Sequence, residues 1–132
     1  SRLVLFDLRA QKILRIDQTR FRSYRPEARG VFASAAPRLR APDAFDGETV
    51  LPLRRSDIDF NGHVHNTKYL DLALEALPDT VPRDAFTGFR MVYPKAVKDV
   101  GSVTLKYTLT DTGPFVCVYS ADTLCTLIRF ET

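Results

Sequence analysis

With 132 residues and 45% hydrophobic content, the chain has room for one domain with a proper core and is too apolar to be a disordered segment. No apolar run reaches membrane-spanning length and no apolar signal segment opens the sequence, so the expectation is a cytoplasmic chain with no membrane partner. Charge is uneven: residues 1–55 carry 12 Lys and Arg against 6 Asp and Glu, the remainder 7 against 10, for a net charge of +3. The basic excess lies mainly in Arg20, Arg22, Arg25, Arg29, Arg38 and Arg40. It reads first as a solvated linker and second as a docking surface for an acidic partner. Nucleic acid is disfavoured as a partner, because few aromatics and no recognition motif accompany the arginines.

In chain order, residues 3–8 (Leu-Val-Leu-Phe-Asp-Leu) and 13–17 (Ile-Leu-Arg-Ile-Asp) read as two strands joined through Arg9 to Lys12. Two strands alone are marginal in water, so this hairpin must pack on something. Residues 18–46, polar and broken by Pro26, Pro37 and Pro42, read as a linker over the surface. Residues 48–54 alternate Thr49, Leu51 and Leu53 against Val50 and Pro52, and the proline predicts an edge strand or a bulge. A helix follows: Tyr69, Leu72, Ala73, Ala76 and Leu77 share one face, and Leu70 and Leu74 widen it, so most of the helix is expected to be buried. Asn66 or His65 is the expected N-cap, and Pro78 marks the end.

Residues 78–85 read as a loop and 86–97 as a strand. Residues 102–110 form the clearest strand, with Val103, Leu105, Tyr107 and Leu109 alternating against Thr104, Lys106, Thr108 and Thr110. Gly113 and Pro114 break it, and 115–120 with 123–130 make a final hairpin. A two-residue turn at Ala121 and Asp122 would set Cys117 opposite Thr126 and Cys125 opposite Val118, which predicts two reduced, buried thiols and no disulfide. The predicted order is a strand, a buried helix and four antiparallel strands in succession. That is an α+β domain over residues 47–132, its antiparallel sheet wrapped around one long central helix.

Between the first of these strands and the helix, the segment from Asp57 to His65 holds Asp57, Asp59, Asn61, Gly62, His63 and His65. Unpaired N–H groups at a helix N-terminus can polarise a carbonyl, and a carboxylate beside them can attack it or activate water. The competing reading is that Asp57, Asp59 and Asn61 only shape a turn and a cap. Zinc is disfavoured, since two histidines two residues apart with only carboxylates nearby lack tetrahedral closure.

Asp59, Asn61 and His63 at two-residue steps, followed by Val64, Asn66, Tyr69, Glu75 and Pro78, resemble the signature of the C-terminal hot-dog domain of acyl-acyl carrier protein thioesterases. The broader 4-hydroxybenzoyl-CoA thioesterase-like superfamily shares the part carried by Asp59, Gly62 and Tyr69. The resemblance implies a hot-dog fold and hydrolysis of fatty acyl thioesters of acyl carrier protein or CoA in fatty acid biosynthesis. It implies Asp59 as base or nucleophile, Asn61 and His63 as orienting groups, and N–H groups of Val64, His65 and Asn66 as oxyanion donors, with no cofactor and no metal. It further implies that residues 1–17 are a hairpin remnant of a preceding hot-dog half, that 18–46 is a basic linker, and that the chain forms a homodimer or pairs with a second hot-dog domain. Two positions depart from the family pattern: His65 stands where asparagine is usual, and Ala96, three residues after Tyr93, stands where a glutamate is usual. The alternative from another class is a non-catalytic hot-dog domain that binds acyl groups or serves as the assembly partner of a catalytic half.

Overall fold

Alternation of apolar residues along the strands builds a five-stranded antiparallel sheet, and the apolar face of one helix covers its inner side. The computed structural model describes residues 5–7, 9–15, 19, 23, 38–82, 84–98 and 100–132, in two compact units, Ser1–Pro37 and Arg38–Thr132. The first unit contains the expected hairpin, with β1 at Leu5–Asp7 and β2 at Lys12–Leu14. Its turn is set by Asp7, whose Oδ1 accepts the N–H groups of Arg9 at 2.8 Å and Ala10 at 2.9 Å. The flanking residues Leu3, Val4, Leu8, Ile16 and Asp17, and the linker positions Arg20, Arg22, Pro26 and Pro37, lie outside the described residues.

In the second unit the elements are β3 (Gly47–Pro52), α1 (Lys68–Ala76), β4 (Gly88–Val92), β5 (Ser102–Thr108), β6 (Phe115–Ser120) and β7 (Thr123–Glu131). The sheet order is β3-β5-β6-β7-β4. β3 is therefore an edge strand, the place where Pro52 loses least for want of an N–H. One expectation is corrected. β4 does not pair with β5 in a simple succession of strands; it crosses to the far edge and pairs with β7, Phe89 opposite Phe130 and Met91 opposite Ile128. The three strands β5, β6 and β7 alone form the meander.

Val103 and Leu105 of β5, Val116 and Val118 of β6, and Ile128 and Phe130 of β7 face inward and pack on Tyr69, Leu72, Ala73 and Ala76 of α1. Phe86 stacks on Phe130 with ring centroids 4.5 Å apart. The outer face is covered as well: Leu39, Ala41 and Phe45 lie over Phe115, Cys117 and Leu127. Residues 38–46 thus pack with the domain, ahead of the boundary expected at residue 47. Asp46 holds them in place, its N–H donating to the Tyr107 carbonyl at 2.8 Å and its Oδ2 accepting the Leu109 N–H at 2.7 Å.

The β6–β7 turn at Ala121 and Asp122 is as expected, but a bulge beside Val118 and Tyr119 shifts the register beyond it. Cys117 lies opposite Leu127 rather than Thr126, and Val118 lies opposite Thr126 rather than Cys125. Cys125 is the extra residue of the bulge, which turns its carbonyl to accept the Lys95 N–H at 3.2 Å. Both cysteines are free and buried, and burial pushes the Cys117 thiol up to about 12, far from thiolate chemistry.

Candidate active site

The connection from β3 to α1 is a small hairpin whose base is closed by a charge pair. The Arg54 N–H donates to Asp57 Oδ2 at 2.7 Å, and its guanidinium adds Nε to Oδ2 and Nη2 to Oδ1, both at 3.3 Å. These bonds fold Arg55–Asp57 into a single 3-10 turn. Asp57 is only 1% exposed. Burial alone would push its carboxyl up, but the Arg54 bonds and the charges of Arg54 and Lys68 outweigh it and hold the carboxyl below the usual range.

Above that base the two arms of the hairpin pair. The Asp57 carbonyl accepts the His65 N–H at 2.8 Å, Ile58 bridges Val64, and the Asp59 N–H donates to the His63 carbonyl at 2.7 Å. Gly62 turns the tip with a φ of +73°, a backbone region costly for a residue with a Cβ. The Asp59 side chain closes the same turn: Oδ1 accepts the Asn61 N–H at 2.8 Å and the His63 N–H at 3.1 Å. The His63 N–H above all, then Asn61 and the His63 charge, hold the Asp59 carboxyl below the ordinary value against a smaller opposing effect of burial. Asp59 is ionised at neutral pH, and Oδ2 carries neither of the two backbone bonds.

The hairpin is also pinned from the side. Val64 donates its N–H to the Val97 carbonyl at 2.9 Å, and Val97 donates its own N–H to the buried Tyr69 hydroxyl at 3.0 Å. Burial pushes the Tyr69 phenol up, so it stays protonated. Tyr93 packs its ring 5.5 Å from that of Tyr69 and donates its hydroxyl to the Asn66 carbonyl at 3.4 Å. Sequence reasoning missed both Asp57 as the base of the hairpin and Tyr69 as its lateral anchor. The available signal for the second was a lone hydroxyl on an otherwise apolar helix face, which demands a partner when buried.

Asp59, Asn61 and His63 therefore come together on one turn, with Asn61 exposed at the tip and His63 half-buried. The oxyanion role expected of Val64 and His65 through their N–H groups is not available here, because Val97 and Asp57 accept those hydrogens. Among the described residues no acceptor meets the Asn66 N–H. The helix starts at Lys68 with Thr67 as its N-cap, not the expected Asn66 or His65; His65 precedes it, its Nδ1 accepting the Thr67 N–H at 3.3 Å and its carbonyl the Lys68 N–H at 2.8 Å. Since His63 bridges Lys98, the same register sets Ala96 opposite His65, both exposed.

A cavity of about 320 Å³ lies between β3 and α1, lined by Leu51, Pro52, Arg54, Asp71, Leu72 and Glu75. None of these residues belongs to the Asp59 turn, which sits on the open surface. Among the described residues no group of three or more His, Cys, Asp or Glu could hold a metal ion, and no helix is long and apolar enough to cross a membrane.

The family model for the acyl-ACP thioesterase C-terminal domain matches residues 41–110, just over half of the chain. The chain belongs to this family. A search of curated proteins finds no match. Among solved structures, the domain is similar to a 12:0-ACP thioesterase from Umbellularia californica, with a TM-score of 0.71 and 16% identity over 96% of this chain and 52% of that one. An acyl-ACP thioesterase from Bacteroides thetaiotaomicron gives a TM-score of 0.63 and 16% identity over the same shares. A probable thioesterase from Bartonella henselae gives 0.57 and 13% identity over 67% of this chain and 87% of that one. These likenesses establish the hot-dog fold. The chain spans about half the length of the two acyl-ACP thioesterases.

Proposed function

We propose that this acyl-ACP thioesterase C-terminal domain takes part in hydrolysis of fatty acyl thioesters carried on acyl carrier protein or CoA. The observation that carries the reading is the Asp59 turn: a carboxylate kept ionised by two backbone N–H groups, with one oxygen outside those bonds and with Asn61 and His63 on the same turn. Asp59 either attacks the thioester carbonyl, so that the C–S bond breaks, the thiol leaves and water then hydrolyses the acyl anhydride, or orients a water whose attack breaks the C–S bond directly to give the free acid and the thiol, with Asn61 and His63 fixing the geometry. The Asn66 N–H, just ahead of the Thr67 N-cap, is the donor left for the developing oxyanion. A low-pKa carboxylate is a weak general base at neutral pH, which favours attack and orientation over proton abstraction as its contribution.

The second reading, a non-catalytic hot-dog domain that binds acyl groups or assembles with a catalytic half, is supported by Ala96. Either way the chain is read as a homodimer or as one half of a pair, with residues 1–17 the remnant of the other half and the linker ending before Arg38. Thiol release from acyl-ACP and acyl-CoA, measured side by side on the purified chain, separates the two. Release above the uncatalysed rate on either substrate identifies an enzyme, and none on both leaves the binding or assembly role.

A further inference from the structure

The Asp59 turn is supported by a single buried carboxylate, and its support runs through bonds in series. Asp57 receives the Arg54 N–H and guanidinium through its carboxylate, and the His65 N–H through its carbonyl. Those two contacts close the base of the hairpin. Two residues further along, the Asp59 N–H meets the His63 carbonyl, and the Asp59 carboxylate meets the His63 N–H. If the base opens, the arms separate and Asp59 loses the donor on its carboxylate. The lateral anchor from Val97 holds only the second arm, through Val64, so it cannot replace the base.

We infer that Asp57 is a positioning residue: its buried carboxylate, bonded to Arg54, fixes the arm that carries Asp59 against the arm that carries His63. As a statement about catalysis this rests on the thioesterase reading above. As a statement about the turn it does not. Asp57→Asn keeps the volume and one acceptor for the Arg54 N–H, but turns an amide donor toward a guanidinium that can only donate. Arg54→Gln leaves the Asp57 carboxylate and the backbone N–H in place and removes only the guanidinium bonds. Because Arg54 is 68% exposed at its side chain, that second loss is the milder one.

The test is a carboxyl-carbon NMR titration of Asp59 in the wild-type, Asp57→Asn and Arg54→Gln chains, together with thiol release from an acyl-CoA. Groups that act on Asp59 from nearby, His63 on the turn and Tyr69 on α1, are titrated in the same samples. In Asp57→Asn the Asp59 carboxyl rises toward the ordinary value of about 3.9. Turnover falls about tenfold to a hundredfold with KM unchanged, the scale expected for a reacting group displaced by about 1 Å. Arg54→Gln moves both in the same direction by less. A role confined to stability would lower the unfolding midpoint and leave the Asp59 titration and the turnover of the folded protein where they were, which overturns the inference. Should Asp57→Asn fail to fold, an unmoved Asp59 in Arg54→Gln overturns it equally. A wild-type chain that releases no thiol removes the thioesterase reading, and the Asp59 titration then still decides whether Asp57 positions the turn.

Discussion

Two aspartates two residues apart have different jobs, and each makes a distinct prediction. Asp59→Asn should lower thiol release by about two to four orders of magnitude while circular dichroism and the melting curve stay close to wild type. Ala96→Glu places a carboxylate opposite His65, and it raises turnover if the reaction needs a second acid. If Asp59→Asn leaves thiol release unchanged and Ala96→Glu adds nothing, the Asp59 turn does not carry the reaction. Both Asp57 and Asp59 have carboxyls held below the ordinary range in the folded chain. Their contribution to stability is therefore fully present above the unfolded value of about 3.9, and it is lost as pH falls through the lower folded values. Urea titrations at pH 3 and pH 7 should show the wild type losing more stability on acidification than Asp57→Asn. At this scale the sequence told where chemistry could sit, since alternating Asp, Asn and His around a glycine spell a polar turn. Residue type and spacing alone did not separate Asp57 from Asp59; only the family resemblance singled out Asp59. That difference comes from a 3-10 turn that buries the first, whereas the second, beside the open tip, stays half-buried. Nor could it foresee that Val64 and His65 spend their N–H groups on Val97 and Asp57, one of them more than thirty residues away in the chain.

Elements were legible wherever a period of two or of 3.6 ran without interruption. The helix and β5 stand within two residues of their expected bounds, because neither Tyr69–Leu77 nor Ser102–Thr110 contains a breaker. The strand expected over 86–97 is regular only through Val92. Beyond it the regular pairing with β7 ends and the backbone turns to the site: Lys95 meets β7 only at the bulge carbonyl of Cys125, and Val97 inserts between Val64 and the Tyr69 hydroxyl. Strand order was less legible than strand position, since nothing in a pattern of alternation says that β4 crosses to β7. The Tyr69–Val97 bond is the tie between helix and site at this scale. Tyr69→Phe keeps the ring but leaves the Val97 N–H without its acceptor in the core, so it should cost about 1–3 kcal/mol in urea unfolding. It should also speed hydrogen exchange at Val97 and Val64 before that of β5 and β6. Equal exchange at all four segments would mean that the tie carries nothing.

At the scale of the whole molecule, the sheet ends in two edges of different character. β3 carries Pro52, which cannot extend a ladder, whereas β4 offers Gly88–Val92 with no proline and with Phe89 and Val92 53% and 39% exposed. Long unprotected edges of this kind invite another strand. The Asp59 turn, on the open surface with Tyr93 beside it, also lacks the walls that would shelter a thioester from water. The pairing proposed above, with another copy of this chain or with the other half of a longer protein, would cover the β4 edge with a second hot-dog domain. Arg38 and Arg40 are exposed where the domain begins and are the charges that the proposed docking of an acidic carrier would use; the Arg20 to Arg29 part of that stretch lies outside the described residues. Reversing Arg38 and Arg40 to glutamate should raise the KM for acyl-ACP well above any change for acyl-CoA, with the gap closing in high salt. For the edge itself, Phe89→Lys with Val92→Lys places charge where the partner strand would lie. Light scattering of the wild-type chain at micromolar concentration should give twice the monomer mass, and the double variant should give the monomer with activity lost. A wild-type chain that is monodisperse as a monomer and releases thiol at nanomolar concentration would show that the domain needs no partner, and that the exposed edge of β4 has no bearing on the site.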